Sequence, residues 1–208
     1  MIMLSRWIND AQNWFRDKKF GAPLGSNIWK STVAIIGYGD IGKALQERLN
    51  GFDAKTIGVF SSQASLNATI QKPDIGITFD QLPEIIGTAD FVIVTVSGGR
   101  KNYNLIDKNL FKLMKKSAFF INVSRGKTVS YKALLEALER KMIAGAALDV
   151  FWSEPFDPND KLFNYNVIAT PHIGGATDLS LDGISQEVAN NINRVRKGLK
   201  PNNLATSY

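Results

Sequence analysis

No cysteine occurs among the 208 residues, so a disulfide framework, a thiolate nucleophile and a sulfur-based zinc site are all excluded. Nothing else marks a metal site. Only one histidine is present, His172, which leaves a single side chain whose ordinary titration lies near neutrality. No run of roughly 18 apolar residues is found, which argues against a membrane span. Arg6 and Asp10 interrupt the N-terminus before an apolar stretch long enough for a signal peptide can form, and a cytoplasmic protein is expected. The balance of 25 basic against 19 acidic residues, +6, favours anionic ligands in general. Neither Lys112, Lys115 and Lys116 nor the stretch from Arg194 to Lys200 has interleaved aromatics or a recognisable binding module, so nucleic acid is not an expected partner.

What is present is ordinary globular composition, 44% hydrophobic and 21% charged, at a length that buries a substantial core. Apolar runs rich in Val, Ile and Phe predict strands near 32–36, 55–60, 75–78, 91–96, 118–123, 144–148 and 166–170, with helices between them. That alternation predicts an α/β fold, a Rossmann-type doubly wound parallel sheet in a single domain with an N-terminal helical arm. Leu4, Trp7, Ile8, Ala11, Trp14 and Phe15 share one face of the arm helix, which Gly21 and Pro23 are expected to stop. Ser130 caps a helix over 131–141 whose inward stripe is Tyr131, Leu134, Leu135 and Leu138. Leu181, Ile184, Val188, Ile192 and Val195 share a face of a C-terminal helix that ends before Gly198 and Pro201. The expected divisions are 1–28, a helix and loop that act as arm or interdomain remnant; 29–178, a dinucleotide-binding domain; and 179–208, a helix and tail.

Directly after the first core strand, Gly37-Tyr38-Gly39-Asp40-Ile41-Gly42 fits G-x-G-x-x-G and opens a helix over 41–49. The first glycine permits a tight turn, the second admits a pyrophosphate close to backbone amides, and the third lets helix and strand touch. A bare glycine triplet can be an ordinary turn; at this junction dinucleotide binding is the expectation. Asp40 is awkward beside a pyrophosphate unless its side chain points to solvent. An acidic residue for the adenine ribose belongs some 20 residues on, where the sequence reads Gly58-Val59-Phe60-Ser61-Ser62. Phe60 and Ser61 therefore stand at the ribose end. With no carboxylate to repel a 2′-phosphate and no arginine to pair with one, the balance tilts towards NADP tolerance and the choice between NAD and NADP stays open.

Three further segments sit at predicted strand ends, the ligand edge of a parallel sheet: Asn122-Val123-Ser124-Arg125-Gly126, Leu148-Asp149-Val150-Phe151 with Glu154-Pro155, and Thr170-Pro171-His172-Ile173-Gly174-Gly175-Ala176-Thr177. The fold is expected to bring them together. A lone histidine more often packs or caps, but one after a strand and before two glycines is a candidate general acid/base, with a carboxylate such as Glu154 to favour its protonated form. Arg125 offers a planar fork for a carboxylate and keto oxygen, or else forms a structural ion pair. Asp149 receives a nicotinamide amide or caps the following turn.

Together these residues resemble the NAD-binding domain of the D-isomer-specific 2-hydroxyacid dehydrogenases from about Trp29 to Asn203, through GYGDIG, INVSRG, GAALDVFWSEP and ATPHIGGAT. The resemblance implies that Arg125 holds the substrate, Glu154 pairs with the histidine and His172 exchanges the hydroxyl proton as hydride passes between nicotinamide and C2 of a 2-hydroxy or 2-oxo acid. It implies cofactor contacts from Gly37 to Gly42, Val96 and Ser97, Val123, Ser124 and Arg125, Asp149, and the loop of His172, Gly174 and Gly175. It also implies a homodimer through cofactor domains, with the aromatic helix as a contact.

Against that pattern, the substrate domain that precedes the cofactor domain in this family, roughly 100 residues, is expected to be absent, which leaves a truncated or partner-completed enzyme among the readings. Val96-Ser97-Gly98-Gly99-Arg100-Lys101 replaces a Pro-Thr-rich turn, with Arg100 or Lys101 expected to offset Asp40. Ser130 stands where an aspartate is usual. The alternatives are an NAD(H)-binding sensor or corepressor-like module without turnover, and a catalytically idle remnant that finds an oligomer partner through exposed apolar surface.

Overall fold

The computed structural model describes residues 1–21 and 23–204. All seven predicted strands form, as β1 (Thr32–Ile36), β2 (Lys55–Phe60), β3 (Ile75–Thr78), β4 (Phe91–Val94), β5 (Phe119–Asn122), β6 (Gly145–Leu148) and β7 (Val167–Ala169). They pair in one parallel sheet of order β3-β2-β1-β4-β5-β6-β7. Between them run α3 (Asp40–Leu49), α4 (Gln63–Ala68), α5 (Leu82–Ile85), α6 (Lys108–Leu113) and α7 (Tyr131–Glu139), preceded by α1 (Ile2–Ser5) and α2 (Ile8–Arg16). No helix among the described residues is long and apolar enough to cross a membrane.

The strands read as unbroken apolar runs because both faces of the sheet are covered. Successive residues point to opposite sides. Ala34, Ile36, Val92, Val94 and Phe120 join one core with Leu82, Leu110, Phe111, Leu134 and Leu138 of α5 to α7. Val33, Ile35, Phe91, Ile93, Phe119 and Ile121 join the other with Leu4 and Leu49. At about 1.5–3 kcal/mol for each fully buried large side chain, these two layers supply most of what opposes chain entropy. Ser130 caps α7 as expected, accepting from the Ala133 amide at 3.4 Å.

The arm differs from expectation. Trp7 takes a left-handed conformation at φ 49 and divides one predicted helix into α1 and α2. Its ring lies edge-on to Phe119, 6.2 Å away, so tertiary packing overrides the helical period. The second helix also ends at Arg16, well before Gly21 and Pro23: Lys18 turns left-handed at φ 56 and the Lys19 amide donates back to the Trp14 carbonyl at 2.9 Å. Leu4 is buried under the sheet and Asn9 Nδ2 donates to the Val167 carbonyl at 3.1 Å, while Phe15 is exposed.

Two compact units result, Met1–Ala169 and Thr170–Tyr208. The second holds the loop after β7 and α8 (Asp178–Arg196), whose start is closed by a Thr177/Ser180 capping box. Gly198 at φ 70 ends the helix, and the tail returns so that the Asn202 amide donates to Asn191 Oδ1 at 2.6 Å. Leu181, Ile184, Val188, Ile192 and Val195 do share a face of α8, and each is 54–62% exposed.

Candidate functional site

The sheet order reverses between β1 and β4, and the carboxyl ends of strands at such a reversal form a ligand crevice. Gly37 leaves β1 at φ +97, and a Cβ there would lie 2.7 Å from the backbone nitrogen of Val96. The turn is held from both neighbours: the Gly37 and Tyr38 amides donate to the Val59 carbonyl at 3.0 and 3.1 Å, and Thr95 Oγ1 donates to the Gly37 carbonyl at 2.8 Å. A Cβ on Gly42 would stand 3.1 Å from Ile35 Cγ2, which is the close helix-to-strand contact expected of the third glycine. Gly39 differs from both, since a Cβ there would meet nothing within 4 Å. That open side, at the first amides of a ten-residue helix, fits a pyrophosphate.

Asp40 points its carboxylate into solvent, with its side chain fully exposed and Lys43 Nζ 3.8 Å away. This removes the predicted conflict. The offsetting cation among the described residues is Lys43, one turn along α3, and not Arg100 or Lys101. Tyr38 and Phe60 are buried and pack on each other with ring centroids 5.2 Å apart. Ile41 and Ser61 are exposed.

Beneath the turn lies a polar web. The Tyr38 hydroxyl donates to Gln46 Oε1, the Gln46 amide donates to the Lys72 carbonyl at 2.9 Å and to Thr56 Oγ1 at 3.3 Å, and Thr56 gives both its amide and its hydroxyl to Asp74 Oδ2 at 2.7 Å. Those Thr56 bonds hold the Asp74 carboxyl below its ordinary range. Burial, and then the Asp74 charge, push the Tyr38 hydroxyl up.

At the end of β5 the buried Asn122 organises the arginine loop. Its Oδ1 accepts from the Ser124 amide and hydroxyl at 3.0 and 2.9 Å, and its Nδ2 donates to the Arg125 carbonyl at 3.0 Å. Thr128 Oγ1 donates to the same carbonyl at 2.6 Å. Ser124 is thereby buried and committed, whereas Val123 and Arg125 are exposed. Arg125 forms no ion pair among the described residues, and its side chain gives one hydrogen bond, from Nη1 to the Ser124 carbonyl at 2.6 Å. The ion-pair alternative for this arginine is therefore not what forms.

Two of the three strand-end segments meet in the first unit. The Asp149 amide donates to the Asn122 carbonyl at 3.1 Å, and Gly126 lies flush on the Phe151–Trp152 peptide, where any Cβ would overlap the Phe151 carbonyl. Asp149 is buried, and Glu154 Oε1 accepts from the Phe151 amide at 3.0 Å. Trp152 donates from Nε1 to the Val129 carbonyl at 2.6 Å and packs edge-on to Tyr131. Val96 is half-buried and Ser97 exposed at the end of β4. The third segment belongs to the second unit. There His172 is exposed and left-handed at φ 55, its amide donating to the Thr170 carbonyl at 2.9 Å, and Gly174 and Gly175 follow it in an exposed loop.

Thr95, Asn122 and Thr128 brace the site without being candidates for its chemistry in the sequence. A buried asparagine closing the apolar strand Phe119-Phe120-Ile121 was the one signal on offer.

Residues 1–174 match the family described as D-isomer specific 2-hydroxyacid dehydrogenase, NAD binding domain, so the match takes in the arm as well as the sheet. The chain is 37% identical over 179 residues to a glyoxylate reductase of Pyrococcus horikoshii, covering 86% of this chain and 52% of that protein. To a glyoxylate reductase of Thermococcus litoralis it is 38% identical over 182 residues, 87% of this chain and 54% of the other. Among solved structures it superposes with TM-score 0.83 and 26% identity on a D-isomer specific 2-hydroxyacid dehydrogenase from Lactobacillus delbrueckii ssp. bulgaricus in NAD-complexed form, over 99% of this chain and 66% of that one. The chain thus spans about half the length of these curated relatives.

Proposed function

We propose, from the premise that this chain belongs to the D-isomer specific 2-hydroxyacid dehydrogenases and carries their NAD-binding domain, that it serves an oxidoreductase interconverting a 2-hydroxy acid and its 2-oxo acid. The observation that carries this reading is Arg125: an exposed guanidinium at the ligand edge of a nucleotide-binding sheet, with one of its five N–H donors committed among the described residues. A planar fork of that kind suits a carboxylate beside a carbonyl.

In this reading the turn from Gly37 to Gly42 takes the pyrophosphate through its amides, and Phe60 and Ser61 flank the adenine ribose. Val96, Ser97, Val123, Ser124, Asp149, Gly174 and Gly175 line the path towards the nicotinamide, with Asp149 accepting from its amide. The bound nicotinamide supplies or accepts the hydride. Arg125 grips the acid and polarises its carbonyl. His172 gives the carbonyl oxygen its proton in reduction and takes it back in oxidation, and Glu154 orients the imidazole and favours its charged form. Glyoxylate, which the named relatives reduce, is the first acid to test. Those relatives are reductases, and none of the comparisons favours a sensor without turnover. A homodimer in the cytoplasm completes the proposal.

The test is titration with NADH followed by glyoxylate reduction monitored through loss of NADH absorbance. His172→Ala is expected to lower turnover about 100-fold or more and to leave the NADH Kd within about twofold. An unbound cofactor at millimolar NADH, or a fully active His172→Ala variant, overturns the reading.

A further inference from the structure

Gly98 is not a glycine for conformational reasons. Its φ lies outside the left-handed region, which the neighbouring Gly99 occupies at φ +134. Its reason is room. A Cβ at Gly98 would stand 3.0 Å from Arg125 Cγ, 3.7 Å from Nε and 3.8 Å from Cδ, so the arginine stem lies along bare backbone. The turn that offers this surface is itself braced, with Asn102 Nδ2 donating to the Ser97 carbonyl at 2.8 Å and Thr95 Oγ1 to the Gly37 carbonyl at 2.8 Å.

We infer that Gly98 is a positioning residue for Arg125: its missing side chain forms a seat on which the arginine lies flat, so that the guanidinium is set in advance for the carboxylate of a 2-oxo acid. The acid part of this statement rests on the function proposed above; the seat itself does not. The arginine is fixed at three places. Its carbonyl accepts from Asn122 Nδ2 and from the Thr128 amide and hydroxyl, its stem rests on Gly98, and Nη1 is tied to the Ser124 carbonyl. A long side chain held in this way loses less rotamer freedom when an anion binds. A side chain at 98 lifts the stem, strains the bond to Ser124 and moves the fork away from its preset height.

Gly98→Val tests the seat, with Gly98→Ala as the milder variant if the larger one fails to fold. Reaction of Arg125 with phenylglyoxal, followed residue by residue by mass spectrometry on the full chain, is expected to run at least fivefold faster in Gly98→Val and about twofold faster in Gly98→Ala. Oxalate, a dianion with a carboxylate beside a second carbonyl, is expected to bind the NADH-loaded protein about tenfold more weakly in Gly98→Val. In an Arg125→Ala background the valine is expected to add nothing further. An unchanged Arg125 reaction rate overturns the seat, whatever oxalate does. A faster rate together with no oxalate binding by the unsubstituted chain keeps the seat and overturns the acid reading.

Discussion

Three glycines of one motif carry three different constraints, and substitution separates them. Gly37 combines a left-handed φ with close contact to the backbone of Val96. Gly37→Ala therefore adds backbone strain to overpacking, about 2–4 kcal/mol together, and is expected to lower the melting temperature by roughly 5–15 °C. Gly39→Ala meets no atom and no forbidden φ. Its melting temperature is expected to stay within about 2 °C, while the methyl group intrudes on the pyrophosphate and raises the NADH Kd about tenfold or more. If Gly39→Ala binds NADH as the unsubstituted chain does, the turn is structural only. At the ribose end, a buried Phe60 and an exposed Ser61 carry no charge of either sign. NADH and NADPH are accordingly expected to bind within about tenfold of each other, and Ser61→Arg to tighten NADPH alone by about tenfold, as a charge-assisted bond to the 2′-phosphate allows. Titration of both coenzymes checks both statements.

Helix α3 and strand β2 meet the approach to β3 through the chain of bonds from Tyr38 to Asp74, and the buried Thr56 is its hub. Thr56→Val strands a Gln46 donor and takes a hydroxyl from Asp74, at about 1–3 kcal/mol; a urea midpoint that does not move refutes this accounting. Because the Asp74 carboxyl titrates below its ordinary range in the fold, it adds stability above the unfolded carboxylate pKa. That contribution is lost as pH falls through the lower folded value. Asp74 is solvent-exposed, so the effect is modest. Urea midpoints measured from pH 3 to 7 are expected to drop less steeply on the acid side in Asp74→Asn.

The elements most legible in the sequence are those whose partners are their sequence neighbours. The strands, α3 and the capped α7 follow from period, cap and glycine position. The break at Trp7 is invisible locally because its cause, the ring of Phe119, lies in a distant strand. The early stop at Lys18 has no glycine or proline to announce it. In the site, the strand-end segments were readable as chemistry, since Arg, His and a glycine motif declare themselves by type. Thr95 and Gly98 act by touching other segments, and spacing along the chain does not encode what lies beside a residue in space.

At the scale of the molecule, exposed apolar side chains include two groups close in sequence. Phe15, Phe20 and Leu24 lie in the first unit, and the row from Leu181 to Val195 on α8 lies in the second. Apolar side chains left exposed along one helix face, as on α8, suit contact with another protein surface. A dimer, of mass twice 23.0 kDa, is the expected state in light scattering at micromolar concentration. Phe15→Glu with Phe20→Glu is expected to shift it to a monomer, and a monomeric parent chain removes the proposal.

The order of the strands in the sheet bears on how the chain is born. The nucleotide turn is tied to Val59 and Thr95, and Gly37 leans on Val96, a residue that leaves the ribosome 59 positions later. β1 sits between β2 and β4, so the central strand waits for both flanks. A polypeptide released before the fourth strand is expected to hold the whole glycine signature in its covalent sequence and still lack Thr95 and Val96, the neighbours that shape the turn, so its form waits on residues translated long after the motif itself has been written.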